Sequence, residues 1–310
     1  MTRSSVALLS ACVLLALAGS SFGQSAPAAN GTNAPRRGLG GGRGFGGPPQ
    51  SPDVAAPRTD ANSQQAHLDL LAKAKKGGID VYFEGDSITR RWGTSEAAYA
   101  KYYANWQSNF FGWNAADFGW GADALQNIVW RLENGELDGV NPKVIVFLGG
   151  INNIRGQMSD EQVAGVERGI KKCLDLFQEK APNATVILTA IFPSGSPQYS
   201  REAINKIDAD IAKFADGKKI RFLNVNDKMT DKDGNLLPGM LNTDRLHPDT
   251  AGYQVWADGL KPILTELLGP PAKTDHAPPP TADPGLNNNN RGGARRAGPA
   301  PTNTTSAPGT

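Results

Sequence analysis

Short apolar runs alternate with amphipathic stretches through the middle of the chain. The runs cover residues 79–83, 115–118, 144–148, 185–191 and 220–225, and only Asp80 interrupts the first. Runs of four to seven residues that are rich in Val, Ile and Phe are typical of buried β-strands. We therefore expect five strands.

The stretches between these runs carry apolar residues at helical spacing, most clearly in 125–132 and 163–177. Strands that alternate with helices predict right-handed crossovers and a parallel sheet covered by helices on both faces. The last helical pattern begins near Pro248, a residue suited to a first helical turn. Because Gly259 and Pro262 interrupt that pattern, we expect a kink or a frayed end there.

Polar clusters follow the first three predicted strands at 85–87, 119–123 and 149–153. In an open parallel sheet, functional loops gather at the carboxyl ends of the strands. The three clusters should therefore meet at one edge of the sheet. The loop before the last helix adds Asp244 and His247 to the same set of candidates.

A serine, a histidine and an aspartate in these loops predict nucleophilic chemistry. A serine hydroxyl becomes a good nucleophile when an imidazole oriented by a carboxylate takes its proton. The chain has three histidines; His67 precedes the first strand and His276 lies in a proline-rich tail, which leaves His247 as the base. Taken alone, a serine such as Ser87 that follows Gly-Asp is more often a turn or helix cap than a nucleophile, and Asp244 could cap the last helix.

The two ends of the chain differ from the middle in composition. Residues 1–23 combine Arg3, an apolar run and a small-residue site, which predicts a secretory signal peptide. A lipoprotein cleavage site at Cys12 is the less favoured interpretation, because few apolar residues precede it. We expect a secreted or periplasmic protein without a membrane span.

The segments next to the domain are rich in Pro, Gly, Asn and Ser, at 24–63 and again at 270–310. Such composition predicts disorder, which leaves 64–269 as one folded domain. Between residues 67 and 269 there are 23 basic and 26 acidic residues, a net charge of −3, whereas the whole chain carries +2. The excess positive charge therefore lies in the ends, and we expect no specific nucleic-acid partner.

Other kinds of site find little support in the sequence. Once Cys12 is removed, Cys173 has no cysteine to pair with, and its place in a helical pattern indicates a core residue. The glycine run in 37–47 is not flanked by a strand and a helix, as a nucleotide loop would be. The segment 231–235 resembles a calcium loop, but Met229 and Met240 stand where carboxylates belong. We predict no metal and no cofactor.

The motifs GDSIT, FGWGADALQNIVWRLENGELDGVNPKVIVFLGGINN and DRLHPDTAGY resemble the SGNH, or GDSL, hydrolases. The middle block is especially similar to catalytic subunits of the platelet-activating-factor acetylhydrolase type. The likeness spans about 80–268 and reaches neither tail. It implies a three-layer flavodoxin-like fold and a carboxylic-ester hydrolase.

The same resemblance implies a role for each site residue. Ser87 would attack the ester carbonyl, His247 would carry the proton and Asp244 would orient the imidazole. The oxyanion hole would be formed by the backbone N–H groups of Ser87 and Ala122 and the side-chain amide of Asn152. Asp123 and Asn153 would brace these loops through hydrogen bonds rather than touch substrate.

One residue departs from the family pattern. The family usually has glycine where this chain has Ala122. Only the amide is needed there, so alanine can serve if φ is negative. If the loop requires a positive φ, we expect a distorted hole and lower activity.

The resemblance leaves the substrate open. We expect a secreted serine esterase that removes short acyl groups, chiefly acetyl, from a small-molecule or polysaccharide ester such as an acetylated carbohydrate or glycoconjugate. The alternatives are a lipid-ester hydrolase and a non-catalytic carbohydrate- or surface-binding protein that keeps the fold. The oligomeric state is not predicted.

Overall fold

A computed structural model describes residues 50–286. Five strands form one sheet in the order β2-β1-β3-β4-β5, and every neighbouring pair is parallel. The strands are β1 (Val81–Gly85), β2 (Ala115–Asp117), β3 (Val144–Leu148), β4 (Thr185–Thr189) and β5 (Ile220–Leu223). The predicted parallel α/β sheet is confirmed.

Helices cover both faces of this sheet. They are α1 (Ala61–Ala74), α2 (Ser87–Gly93), α3 (Ala100–Phe110), α4 (Leu125–Glu133), α5 (Asp160–Lys180), α6 (Arg201–Ile211), α7 (Asn226–Met229) and α8 (Thr250–Leu268). Helix α5 contacts α4 and α6, whereas α3 contacts α2 and α8, which gives two helical layers around the sheet. All five positions of β1 and of β3 are buried, as expected for central strands covered on both sides.

The last helix differs from its prediction. Asp249 caps it, and α8 continues without a break from Thr250 to Leu268 with Pro262 inside. A side chain at Gly259 would lie 2.7 Å from Val225, so this glycine allows close packing and does not end the helix. The predicted frayed end is wrong, because packing of the apolar face outweighs the single backbone hydrogen bond that Pro262 cannot make.

A buried aromatic cluster joins α2 to α8. The Trp92 ring stacks on Tyr253 and on Trp256, with 4.9 Å between ring centroids in each pair. The Tyr253 hydroxyl donates a hydrogen bond of 2.7 Å to the Ile88 carbonyl, one residue beyond Ser87. The helix that begins at Ser87 is therefore fixed against the helix that follows His247.

The folded part extends beyond the predicted limits of 64 and 269. On the N-terminal side, the Asn127 side chain donates to the Ala56 carbonyl at 2.9 Å. On the C-terminal side, Asp275 accepts the Gly112 N–H at 2.7 Å and Thr281 accepts the Thr94 hydroxyl at 2.8 Å. The prediction of disorder is therefore wrong for 50–63 and for 270–286. These segments are too polar to form a core of their own, but their backbone groups find partners on the domain.

The rest of the predicted ends, 1–49 and 287–310, lies outside the described residues, and with it the predicted signal peptide and Cys12. Between residues 50 and 286 no helix is both long and apolar enough to cross a membrane. Cys173 is fully buried in α5, which confirms its assignment to the core.

Candidate active site

Three predicted site residues, which come from two loops, form a hydrogen-bonded series. Ser87 Oγ is 2.8 Å from His247 Nε2, and His247 Nδ1 is 2.7 Å from Asp244 Oδ2. An ionised carboxylate can only accept, so Nδ1 carries the proton and Nε2 accepts from the serine hydroxyl. This tautomer leaves His247 ready to take the proton of Ser87.

The local backbone presents Ser87 to solvent. Asp86 caps α2 and accepts the Ile88 N–H at 2.9 Å, so Ser87 becomes the first helical residue directly after β1. From Val81 to Thr89, only Ser87 is partly exposed. The strand-to-helix turn therefore brings the hydroxyl to the surface while its neighbours anchor it in the core.

Asp244 is oriented by the loop that carries the base. Its Oδ1 accepts the backbone N–H groups of Leu246 and His247, both at 2.9 Å, and its Oδ2 faces the imidazole. Partial burial tends to raise the pKa of Asp244, but these hydrogen bonds and the neighbouring His247 outweigh it and hold the pKa well below its usual range. Asp244 therefore stays ionised at the pH values at which an imidazole titrates.

His247 is held in its neutral form. Burial lowers its pKa below the ordinary 6.5, the positive charge of Arg91 lowers it further, and Asp244 opposes both effects. At neutral pH the ring is therefore mostly unprotonated, which is the form that a general base requires.

Sequence reasoning missed Arg91. Its Nη1 lies 3.0 Å from Asp244 Oδ2, on the oxygen that also faces the imidazole. Residues four apart lie on the same face of a helix, so the spacing from Ser87 to Arg91 within α2 was a usable signal. Arg91 is therefore a second hydrogen-bonding partner of the Asp244 carboxylate and places a positive charge near His247.

Two of the three predicted oxyanion donors have free N–H groups. Among the described residues, neither the Ser87 N–H nor the Ala122 N–H donates to a protein acceptor. The amide of Asn152 donates one hydrogen to the Asp123 carbonyl at 2.9 Å. Because an amide has two N–H bonds, one remains for a ligand, and the oxyanion role of Asn152 stays a prediction.

Ala122 adopts the backbone conformation that favours glycine. Its φ is +63°, in the left-handed region, and its side chain is exposed. This region costs a residue with a Cβ about 1–2 kcal/mol. The loop therefore does require a positive φ, and alanine meets that requirement under strain.

Behind these loops, one buried guanidinium holds three carboxylates. Arg131 of α4 donates to Glu84 at 2.6 Å, to Asp123 at 2.8 Å and to Glu136, and it also donates to the Phe118 carbonyl at 2.9 Å. Glu84 lies in β1, three residues before Ser87, and Asp123 follows Ala122. The same cation therefore ties strand β1, which ends two residues before Ser87, to the loop that carries Ala122.

Burial opposes ionisation of these acids. It raises the pKa of Glu84 to about 8 and that of Asp123 to about 6, and the Arg131 charge works against burial in both cases. Burial therefore favours a proton on Glu84 more strongly than on Asp123, and any proton on these acids lowers the cost of burying the cluster.

Asp123 and Asn153 brace the loops, as predicted. Asn153 Oδ1 accepts the Leu125 N–H at 2.9 Å, and its amide donates to Gln126 at 2.8 Å. Asp123 is fully buried on Arg131. Both side chains are committed to protein partners. Within residues 50–286 no group of three His, Cys, Asp or Glu side chains could hold a metal ion.

Comparisons with known proteins show the family to which the chain belongs. The model of the GDSL-like lipase/acylhydrolase family matches residues 83–255. The platelet-activating factor acetylhydrolase IB subunit alpha1 of Bos taurus is 30% identical over 227 residues, which cover 73% of this chain and 92% of that protein. The human (Homo sapiens) protein of the same name is 31% identical over 211 residues, 67% of this chain and 85% of that protein.

Solved structures share the fold at lower identity. A Streptococcus pneumonia protein described as a platelet activating factor aligns with a TM-score of 0.55 and 21% identity, covering 65% of this chain and 92% of that one. A Bacteroides fragilis protein described as an acylhydrolase aligns with a TM-score of 0.53 and 19% identity, covering 67% of this chain and 99% of that one. These two comparisons concern the fold alone.

The position of Arg91 generates a prediction about pH dependence. Replacing it with methionine removes a positive charge that lowers the pKa of His247, so that pKa should rise. The ratio of kcat/KM for p-nitrophenyl acetate, Arg91→Met over wild type, should then fall as the pH is lowered from about 8 to about 5.

Arg221→Met is a matched control, because Arg221 also pairs with a carboxylate, at 2.6 Å from Glu266, on the partly exposed strand β5. Its ratio to wild type should stay constant with pH. A pH-independent ratio for Arg91→Met would show that Arg91 does not act on the imidazole charge.

The strain at Ala122 generates a second prediction. Ala122→Gly removes about 1–2 kcal/mol of left-handed strain and costs about 0.4–1 kcal/mol of unfolded-chain entropy. The free energy of unfolding measured in urea should therefore stay level or rise by up to about 1.5 kcal/mol. Activity should remain within about threefold of wild type, because the loop keeps its conformation.

Ala209→Gly offers the same chemical change at an exposed position inside helix α6. It should lower the free energy of unfolding by about 1 kcal/mol. A comparable loss in Ala122→Gly would mean that the strain at Ala122 is negligible.

Proposed function

The chain belongs to the GDSL-like lipase/acylhydrolase family and is a carboxylic-ester hydrolase, and we propose that it is a secreted serine esterase that removes acetyl groups from carbohydrate or glycoconjugate esters. The observation that carries the serine mechanism is the hydrogen-bonded series from Ser87 through His247 to Asp244, with distances of 2.8 and 2.7 Å. A poised base and an ionised acid beside a partly exposed serine are what acyl transfer requires.

In the proposed first half-reaction, Ser87 Oγ bonds to the ester carbonyl carbon as its proton passes to His247 Nε2. The carbonyl oxygen becomes an oxyanion, which in this mechanism accepts hydrogen bonds from the backbone N–H groups of Ser87 and Ala122 and from the remaining amide hydrogen of Asn152. The C–O bond to the alcohol then breaks, and the imidazolium returns its proton to the departing oxygen. Ser87 is left acylated.

In the second half-reaction, water takes the place of the alcohol. His247 removes a proton from water, whose oxygen bonds to the acyl carbon, and the same donors hold the second oxyanion. When the bond to Ser87 Oγ breaks, the serine recovers its proton from His247 and the carboxylic acid leaves. Asp244 stays ionised throughout and stabilises each imidazolium.

Different observations support the proposed acyl group and the proposed alcohol of the ester substrate. The bovine and human relatives are named acetylhydrolases, which supports acetyl as the acyl group. Their names also refer to platelet-activating factor, so a lipid ester is the second candidate. The proposed carbohydrate ester is supported by the predicted signal peptide at 1–23, since export would place the enzyme among extracellular esters.

The serine mechanism predicts the behaviour of Ser87→Ala. Hydrolysis of p-nitrophenyl acetate should fall by at least about 10⁴-fold, because the nucleophile is lost, while the melting temperature should stay within a few degrees of wild type. A fluorophosphonate probe should label wild type and not the variant. Turnover retained in a folded Ser87→Ala protein, or a wild type that neither turns over nor reacts with the probe, would exclude the mechanism.

The substrate proposal predicts a ranking of esters. Wild type should release acetate from acetylated oligosaccharides with a higher kcat/KM than from an acetylated phospholipid, and p-nitrophenyl acetate should be cleaved faster than the octanoate. Both are measured against the Ser87→Ala protein as a blank. Faster cleavage of the phospholipid acetate would favour the lipid-ester alternative, and faster cleavage of the octanoate would remove acetyl as the preferred acyl group.

A further inference from the structure

The proposed oxyanion donor Ala122 N–H belongs to the peptide unit that also contains the Gly121 carbonyl. A trans peptide is planar, and its C=O and N–H bonds point in opposite directions. A group that binds the Gly121 oxygen therefore also sets the direction of the Ala122 N–H. The partner of that oxygen is the guanidinium of Arg58, whose Nη1 donates to it at 3.0 Å.

Because residue 122 is alanine, a second orientation of the Gly121–Ala122 peptide competes with the observed one. With φ at +63°, alanine occupies a region that its Cβ disfavours. Rotating the Gly121–Ala122 peptide by about 180° would bring φ of Ala122 to a favoured negative value, and glycine at 121 tolerates the matching change in its own ψ. The rotated peptide would turn its N–H away from the site and its oxygen towards it.

The loop on either side of this peptide is fixed by other contacts. The Trp120 N–H donates to the Gly85 carbonyl at 3.1 Å, and its indole N–H donates to Ser63 at 2.9 Å. Asp123 is bound by Arg131 and, through its carbonyl, by Asn152. Among the described residues, Arg58 is the protein donor to the Gly121 carbonyl, so this peptide depends on it more than its neighbours do.

Arg58 is itself well placed to act as a fixed donor. Its guanidinium pairs with Asp60 at 3.1 Å and with Asp123 at 3.3 Å, and its side chain is about one-quarter exposed. Two residues earlier, Ala56 exchanges backbone and side-chain hydrogen bonds with Gln126 and Asn127 at the start of α4. The segment that carries Arg58 is therefore attached to the element that follows the oxyanion loop.

We propose that Arg58 is a positioning residue that locks the Gly121–Ala122 peptide with its N–H directed into the oxyanion hole, in place of the glycine that would hold this conformation without help. This role rests on the proposed serine-esterase function. Arg58 lies outside residues 83–255, which the family model matches.

The first experiment measures kcat and KM of Arg58→Met with p-nitrophenyl acetate. Rotation of the peptide removes one donor from the transition state, and the loss of such a donor lowers kcat by about 10²–10³-fold. Because a fraction of the molecules should keep the active orientation, we expect kcat to fall by about 10- to 100-fold with KM within about twofold of wild type.

The second experiment adds Ala122→Gly to Arg58→Met. Glycine has no preference against positive φ, so the double variant should recover kcat to within about threefold of wild type. Ala122→Gly alone, measured in parallel, gives the reference kcat with which the double variant is compared. If the two changes are additive, or if Arg58→Met alters only KM, the locking role is wrong.

Arg168→Met is the matched control for loss of an arginine ion pair. Arg168 pairs with Glu161 at 2.9 Å on the exposed face of α5. It is not one of the candidate active-site residues. It should leave kcat unchanged. If Arg58→Met does not fold, Arg58→Lys allows the same comparison, because it keeps the charge beside Asp123 but loses the planar fork.

The esterase function and the role of Arg58 are excluded by different results. A wild-type protein that does not hydrolyse p-nitrophenyl acetate would remove the proposed function. An active wild type with an equally active, folded Arg58→Met protein would remove only the role of Arg58.

Discussion

The loops of the candidate site are joined by one buried cation. Arg131 lies in α4, yet it binds the carboxyl group of Glu84 in β1, that of Asp123 in the loop after β2 and the Phe118 carbonyl that precedes that loop. A buried ion pair contributes little net stability once desolvation is counted. Its value here is geometric, because several loops must hold their positions to within a fraction of an ångström for the chemistry to proceed. Removing the guanidinium would leave Asp123 and Glu136 buried without their common partner.

A different kind of interaction fixes the other half of the site. Ser87 begins α2, and His247 lies just before α8, so their separation is set by how these two helices pack. The stacked rings of Trp92, Tyr253 and Trp256 supply that contact, and the Tyr253 hydroxyl adds a directional bond to the backbone beside the nucleophile. Polar contacts therefore position the loop that carries Ala122, whereas aromatic packing positions Ser87 and His247.

Patterns that are local in sequence predicted most of the fold. Five apolar runs sufficed for the five strands, and the rule that loops meet at the carboxyl edge of a parallel sheet brought Ser87 and Asn152 to one place. Asp244 and His247 could be predicted as a pair because they lie three residues apart in one loop. Contacts between distant segments were missed: Arg58 lies in a Pro- and Ala-rich stretch, and its partner Gly121 is 63 residues away. The composition of that stretch shows that it cannot form a hydrophobic core by itself, but it does not show which part of the domain the stretch contacts.

The alanine in the left-handed loop also has a consequence for how such sequences can diverge. Under the proposed role of Arg58, a glycine at position 122 would hold the loop conformation by itself, and residue 58 would then have no effect on the site. The order of substitution would therefore matter. A lineage could exchange the glycine only after the arginine is present, and it could lose the arginine only after the glycine has returned. Among homologues, the two positions would then vary together although no side chain of one touches a side chain of the other.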